Sequence, residues 1–298
     1  MSAPRIVLAG ATGYLGTNLR RRLPVERFAG VVVRRPDAGF PGKTWLIGAE
    51  GIPAGPADAA AEGAVLVHLI GGGRGKRARD IHDMNVGVTE HLVAFARRAG
   101  IRRIVYMSGY GVGDGSSSAY FQAKREAEEI VRASGIDHAI LRCSYVLGGE
   151  DEFKPWLIDS LAAGVLSVPG SAAYRIQPVH VADLMDCFSA LVEAPQALNA
   201  TYDFIGEPIA FGDFLDRMLA RIGRPARIAR SSIEDLVRDT VSNPTPVFSL
   251  DELAILVSDV VGPWTTDLFG TRPRPAADVI ETLAAELAEI EMRMEDSA

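Results

Sequence analysis

Ile6-Val7-Leu8-Ala9-Gly10-Ala11-Thr12-Gly13-Tyr14-Leu15-Gly16 is the stretch on which the fold turns. An apolar run, read as a strand over Arg5–Ala9, meets three glycines spaced three apart, and Leu15–Leu23 then carries helical periodicity. Each glycine has a mechanical reason. Gly10 allows a tight turn, Gly13 lets backbone approach a pyrophosphate, and Gly16 lets the helix pack closely on the strand, while the helix N-terminus attracts the anion. The strand before and the helix after separate this run from a chance glycine triplet.

Working outward, the chain to about residue 141 alternates short β-branched runs with longer amphipathic ones. Strands are predicted at Phe28–Val33, Thr44–Ile47, Ala64–Ile70, Arg103–Met107 and His138–Leu141, and their continuously apolar interiors suit strands buried on both faces. Helices are predicted at Asp80–Arg98 and Tyr120–Ser134, with Gly100 and Gly135 just past their ends. The expected fold is α/β: a doubly wound parallel sheet of the Rossmann kind with a smaller C-terminal substrate lobe. The division expected is 1–150 for the nucleotide-binding part and 151–298 for the mixed lobe, with segments near 174–205 returning to the first part. Further helices are read at Phe153–Ala163, from His180 or Ala182, and at Phe211–Arg221, Ile233–Thr240, Leu250–Val257 and Ala276–Met294. Short strands are read at Leu166–Val168 and Asn199–Ile205, and the acidic run from Glu281 to Glu295 reads as a solvated helix face.

Composition excludes several classes. The 298 residues carry 31 basic and 38 acidic side chains, a formal charge of −7, with no Lys/Arg-rich run, which argues against nucleic-acid binding. The longest uncharged stretch, Ser160 to Tyr174, has fifteen residues broken by Gly164, Pro169 and Gly170, too short for a membrane span. The start of the chain runs directly into the first strand, so a cytoplasmic protein is expected. Cys143 and Cys187 belong to no C-x-x-C pair, and His82 and His91 share no ligand spacing; no metal site is expected. His68 reads as a satisfied core residue and His180 as a helix-start residue. Only Lys43, Lys76, Lys124 and Lys154 are lysines.

The end of the second strand bears on the cofactor. It reads Val33-Arg34-Arg35-Pro36, and the first carboxylate is Asp37. An acidic residue here would accept from the 2′-hydroxyl of NAD, whereas arginine favours a 2′-phosphate. NADP(H) is therefore expected over NAD(H), held by Arg34 and Arg35.

These residues resemble the extended short-chain dehydrogenase/reductase superfamily, and the resemblance covers nearly the whole chain. It rests on Gly10-x-x-Gly13-x-x-Gly16, on Asn85-Val86 followed by Thr89, on Tyr120-x-x-x-Lys124, on Leu141-Arg142-Cys143 with Val146-Leu147-Gly148, and on Val181-Ala182-Asp183. Tyr106-Met107-Ser108-Gly109-Tyr110-Gly111 and Asp267-Leu268-Phe269-Gly270-x-x-Pro273 are similar to an atypical branch. That branch contains the NADPH-binding accessory subunit of respiratory complex I and NmrA-like proteins.

The resemblance implies a catalytic Tyr120 and Lys124. Four residues apart on a helix, they share a face, and an ammonium beside a phenol lowers its pKa toward useful values. The family's catalytic serine has no clean counterpart: Ser108 aligns with a structural position and Tyr110 with the catalytic one, so Tyr110 or Ser116 to Ser118 are the alternative donors. The implied cofactor contacts are Gly10, Thr12, Gly13, Tyr14, Leu15, Gly16, Leu69, Ile70, Gly71, Met107, Lys124, Cys143 and Val146. Tyr110 and Tyr145 are expected to face substrate, Cys143 to be a packed residue, and Asn85 to fix a helix kink. Three functions stay open: an NADP(H)-dependent oxidoreductase on a small-molecule substrate, a nucleotide-sugar epimerase or dehydratase with transient redox, and a non-catalytic NADPH-binding sensor or scaffold. A homodimer is left open.

Overall fold

The computed structural model describes residues 3–35, 40–73, 77–113, 116, 118–242 and 250–295; Asp37, Lys76 and Ser117 lie outside the described residues. The strands are β1 (Ile6–Ala9), β2 (Phe28–Val33), β3 (Lys43–Leu46), β4 (Val65–His68), β5 (Arg103–Gly109), β6 (Asp137–Cys143), β7 (Tyr145–Leu147), β8 (Val165–Pro169), β9 (Arg175–Ile176), β10 (Pro178–His180), β11 (Ala200–Phe204), β12 (Ile209–Ala210) and β13 (Arg227–Ser231). The helices are α1 (Tyr14–Arg22), α2 (Ala78–His82), α3 (Val88–Arg98), α4 (Ala119–Arg132), α5 (Phe153–Ala162), α6 (Val181–Glu193), α7 (Phe211–Ile222), α8 (Ile233–Ser242), α9 (Leu250–Val257) and α10 (Ala276–Glu295).

Seven strands make one parallel sheet in the order β11-β6-β5-β4-β1-β2-β3. Side-chain alternation sends Ile6 and Leu8 to one face, where α1 and α6 residues such as Leu19, Leu184 and Phe188 cover them. Val7 and Ala9 go to the other, under Leu92, Phe95, Ala127 and Val131 of α3 and α4. This two-sided burial explains the unbroken apolar runs of β1, β2 and β4, every residue of which is buried. The expected α/β doubly wound class is the observed one. At the sheet's far side β11 lies parallel to β6, setting Asp203 against Arg142.

A third core lies among α5, α7 and α10, where Leu157, Phe214, Met218, Val279 and Leu283 are buried together. Here the acidic helix has a buried face beside the solvated one expected of it. α10 carries Glu281 and Glu289 outward but turns Val279, Ile280, Leu283 and Leu287 inward, because apolar residues at three- and four-residue spacings form a stripe that must be covered. The helix expected over Asp80–Arg98 is also interrupted. Asp83–Gly87 forms a π-helical turn between α2 and α3, with Asn85 fully buried inside it.

Candidate active site

The phosphate loop comes first. Gly10 turns with φ +91°, and a Cβ on Gly16 would lie 2.1 Å from the Gly10 carbonyl oxygen, so only glycine lets α1 start this close to β1. No side chain caps α1; its first helical bond is Thr17 N–H to Gly13 O at 2.8 Å. The amides of Tyr14, Leu15 and Gly16 therefore precede the helical ladder, at an N-terminus without acidic residues in its first turn. That is a cradle for an anion, and it gives Tyr14 and Leu15 a backbone role. The Tyr14 side chain goes elsewhere: its hydroxyl donates to Gly148 O at 2.7 Å.

The loop opens onto a cleft of about 520 Å³ lined by Gly10, Thr12, Gly13, Arg34, Leu69, Ile70 and Gly71, with Asp80 and Asp83 also in its wall. Seven of the residues expected to hold a cofactor thus share one cavity. Arg34 and Arg35 are exposed at the end of β2, and Arg34 alone of the two lines the cleft. The cleft is long enough on its lining to follow the carboxyl ends of β1, β2 and β4, the edge where open α/β sheets bind nucleotides.

The loop after β4 leads to the second group. Gly71 is packed so closely that an added Cβ would lie 2.7 Å from Lys124 Nζ and 2.6 Å from Asn85 Oδ1, and Gly73 abuts the Tyr120 side chain. Asn85 holds this loop: its amide donates to Gly72 O and Ile81 O at 3.0 and 2.7 Å, and its oxygen accepts from Gly72 N–H at 3.3 Å. The π turn exists because Asn85 replaces helical partners with the loop, the kink-fixing role expected of it. His68 is a satisfied core residue, as expected. Thr89 Oγ1 donates to Asn85 O, so it accepts from His68 Nε2–H at 2.9 Å, while His68 Nδ1 accepts from Ile70 N–H.

Lys124 is buried, with Nζ donating to Met107 O at 2.9 Å and standing 4.8 Å from the Tyr106 ring and 5.9 Å from the Tyr120 ring. Burial pushes it down to about 7, against the opposing charge of Glu128. Tyr120 behaves contrary to expectation. Burial, then the nearby Cys143, push its phenol up to about 12, while the Lys124 ammonium donates to the Met107 carbonyl. Cys143 is buried and its thiol is raised by burial, in keeping with a packed, inert residue. Val146 packs half-buried beside the same core.

The serine position departs from the expectation. Ser108 is buried and donates to Glu128 Oε1 at 2.7 Å, and Glu128 is also gripped by Arg142 and Arg132 at 2.7–2.8 Å. Strand alternation turns Ser108 toward α4, where its hydroxyl proton is committed to Glu128. The Tyr110 hydroxyl lies against Gly262, where an added Cβ would meet it at 2.0 Å. Ser118 caps α4, accepting from Phe121 N–H, and Ser116 Oγ accepts from Ser118 N–H. Tyr145 donates to Ile255 O at 3.4 Å and lines a separate apolar cleft.

Sequence reasoning missed a second buried constellation. Glu286 of α10 accepts from Lys154 Nζ at 3.0 Å and from Gly149 N–H at 2.9 Å, and lies 3.0 Å from His180 Nε2; Asp151 stands 3.3 Å from Lys154. His180 caps α6 through Nδ1, matching its expected helix-start place. Burial alone would raise the Glu286 carboxyl; hydrogen bonds from His180 and Lys154 outweigh it and hold it at about 2. The available signal was the scarcity of lysine, since a buried Lys154 must find carboxylates.

Among the described residues no group of three or more His, Cys, Asp or Glu is placed to hold a metal, and no helix is long and apolar enough to cross a membrane.

Comparison with known proteins matches this geometry. Residues 10–155 match the family model described as NAD(P)H-binding. The chain is 28% identical over 145 residues to the rat mitochondrial NADH dehydrogenase [ubiquinone] 1 alpha subcomplex subunit 9, covering 48% of this chain and 38% of that protein. It is 27% identical over 198 residues to a ceramide reductase of Caulobacter vibrioides, covering 64% of this chain and 61% of that one. The chain thus spans less than two thirds of the length of either relative. Among solved structures, a Staphylococcus aureus nucleoside-diphosphate-sugar epimerase superposes with a TM-score of 0.71 at 17% identity, over 93% of this chain and 99% of that one. An Agrobacterium tumefaciens short-chain dehydrogenase/reductase superfamily protein with bound NAD gives 0.65 at 19%, over 99% and 100%. Residues 10–155 are thus similar to an NAD(P)H-binding domain, on a fold shared with the short-chain dehydrogenase/reductase and sugar-epimerase proteins.

Proposed function

We propose that the chain is an NADP(H)-dependent oxidoreductase in which Tyr120 exchanges a proton with a small organic substrate. The observation that carries this reading is the placement of Tyr120 and Lys124 against the loop Leu69–Gly73, which also walls the nucleotide cleft. The residues fit a dinucleotide: the uncapped α1 terminus and Gly16 would hold its pyrophosphate, Arg34 a 2′-phosphate, and Gly71 and Met107 the region next to Lys124. Bound nicotinamide supplies hydride chemistry. Lys124 supplies positive charge when the pyrophosphate-bearing ligand raises its proton affinity, and Tyr120 moves the proton at its Oη. Residues 1–150 serve as the cofactor half and 151–298 as the substrate lobe.

One observation favours a second reading, a protein that holds NADPH without turnover: Ser108 is consumed by Glu128 and offers no polarising donor. Cofactor choice is tested by titrating the purified protein with NADPH and NADH. NADPH should bind more tightly, and Arg34→Ala should weaken NADPH by roughly 10- to 100-fold, the worth of one charge-assisted hydrogen bond, with NADH unchanged. Equal affinities in the wild type would overturn the NADP(H) assignment.

A further inference from the structure

The lobe holds a cleft of about 340 Å³ that the cofactor does not explain. Its wall is mostly apolar, built on Tyr145, Phe153, Trp156, Ile176, Phe211 and Leu256, with Ser167 as its one hydroxyl besides that of Tyr145 among the described residues. Among the described residues no Lys, Arg or His lines it, and the charged residues in its wall are the carboxylates Glu152 and Glu252. A nucleotide diphosphate needs cations, so this wall would repel one. Burial of alkyl or aryl surface is what such a wall rewards.

The cleft is also tied to the reactive end of the chain. Tyr145 and Leu147 of its wall lie two and four residues after Cys143, and Cys143 is near enough to Tyr120 to affect its titration. Helix α9 supplies Glu252, Ile255 and Leu256, accepts the Tyr145 hydroxyl at Ile255 O, and through Asp251 accepts Ala119 N–H at 3.0 Å at the start of the Tyr120 helix. One helix therefore roofs the apolar cleft and caps α4.

We propose that this cleft takes the apolar tail of an uncharged substrate whose reactive oxygen lies toward Tyr120. Its volume holds about eleven water-sized groups at about 30 Å³ each, hence a tail of on the order of ten carbons. The inference rests on the oxidoreductase reading for the reactive oxygen alone; the tail site is tested without turnover.

The experiment titrates the full chain, with NADP⁺ present, with linear primary alcohols from butanol to decanol, following tryptophan fluorescence. Of the three tryptophans Trp156 stands in the cleft wall, whereas Trp45 is buried in the sheet core and Trp264 is not among the residues lining the cleft. Affinity should rise about fourfold per methylene until the cleft is full, and the signal should vanish in Trp156→Phe. Leu256→Glu should weaken decanol at least tenfold while NADP⁺ affinity, which reads the other cleft and reports folding, stays unchanged. Flat dependence on chain length, or decanol binding that survives Leu256→Glu, overturns the proposal, as does competition of UDP-glucose with decanol. Chain-length-dependent binding without hydride transfer to any uncharged carbonyl leaves the tail site standing and removes the oxidoreductase reading instead.

Discussion

Lys124 concentrates the physical problem at the scale of single residues. Burial depresses its proton affinity to about 7, and its folded value therefore lies below the ordinary lysine value. Between about pH 7 and 10 the unfolded chain binds the proton that the folded chain lacks, so this group makes the cofactor-free protein gain stability as pH rises through that window. The wild type should gain on Lys124→Met by on the order of 1 kcal/mol per pH unit there, measured by denaturant unfolding. An anionic dinucleotide should restore the charge. NADPH binding near neutral pH is accordingly expected to take up a proton, visible as a buffer-dependent calorimetric enthalpy that Lys124→Met abolishes. Tyr120 and Lys124 were legible in the sequence because their four-residue spacing places them on one helix face. The Ser108–Glu128 bond was not, because it joins a strand to a helix twenty residues away through side-chain direction. Yet Lys124, Glu128 and Arg132 also recur at four-residue spacing, and that stripe marked the face of α4 that receives the charge cluster.

Elements differ in how openly they announce themselves. The strands β1, β2, β4 and β5 with α1, α3 and α4 are continuously apolar or strongly periodic and punctuated by glycine, so their order was readable. β7, β9, β10, β12 and β13 have two to five residues each and pair across long separations, β13 with β8 and β12 with β9. Their existence depends on tertiary packing that no local period records. The π turn is intermediate: Asn85 was singled out, but the extra residue it accommodates became visible only with the Gly72 loop on its amide. Replacing Asn85 with alanine leaves the Gly72 and Ile81 carbonyls without their buried donor. A loss of on the order of 3 kcal/mol is expected in denaturant unfolding, together with weaker NADPH binding from a loosened Leu69–Gly73 loop. Unchanged stability would remove Asn85 as the loop's anchor.

Across the whole molecule one seam of polar contacts joins the phosphate loop to α10. Tyr14 of the phosphate loop reaches Gly148, Gly149 reaches Glu286 of α10, and Glu286 gathers Lys154 and His180. Because the Glu286 carboxyl is depressed to about 2, its stabilisation is fully present above the ordinary carboxylate value and is lost as pH falls through about 4 to 2. The wild type should exceed Glu286→Gln by roughly 3 kcal/mol at neutral pH, since buried Lys154 is left with Asp151 alone, and the gap should close over that acid window. A gap independent of acid pH would contradict the assignment. The acidic balance read from composition hides this arrangement, since the carboxylate that matters most for the seam sits on a helix otherwise dressed in exposed glutamates.

The central claim is that Tyr120 carries the proton of an NADPH-dependent reduction. Its most direct test is the oxidation of NADPH by uncharged carbonyl compounds bearing apolar tails, compared between wild type and Tyr120→Phe under the same conditions. The account predicts turnover in the wild type, a fall of roughly 10²- to 10⁴-fold in Tyr120→Phe, and NADPH affinity nearly unchanged. Equal turnover by the two proteins would contradict it.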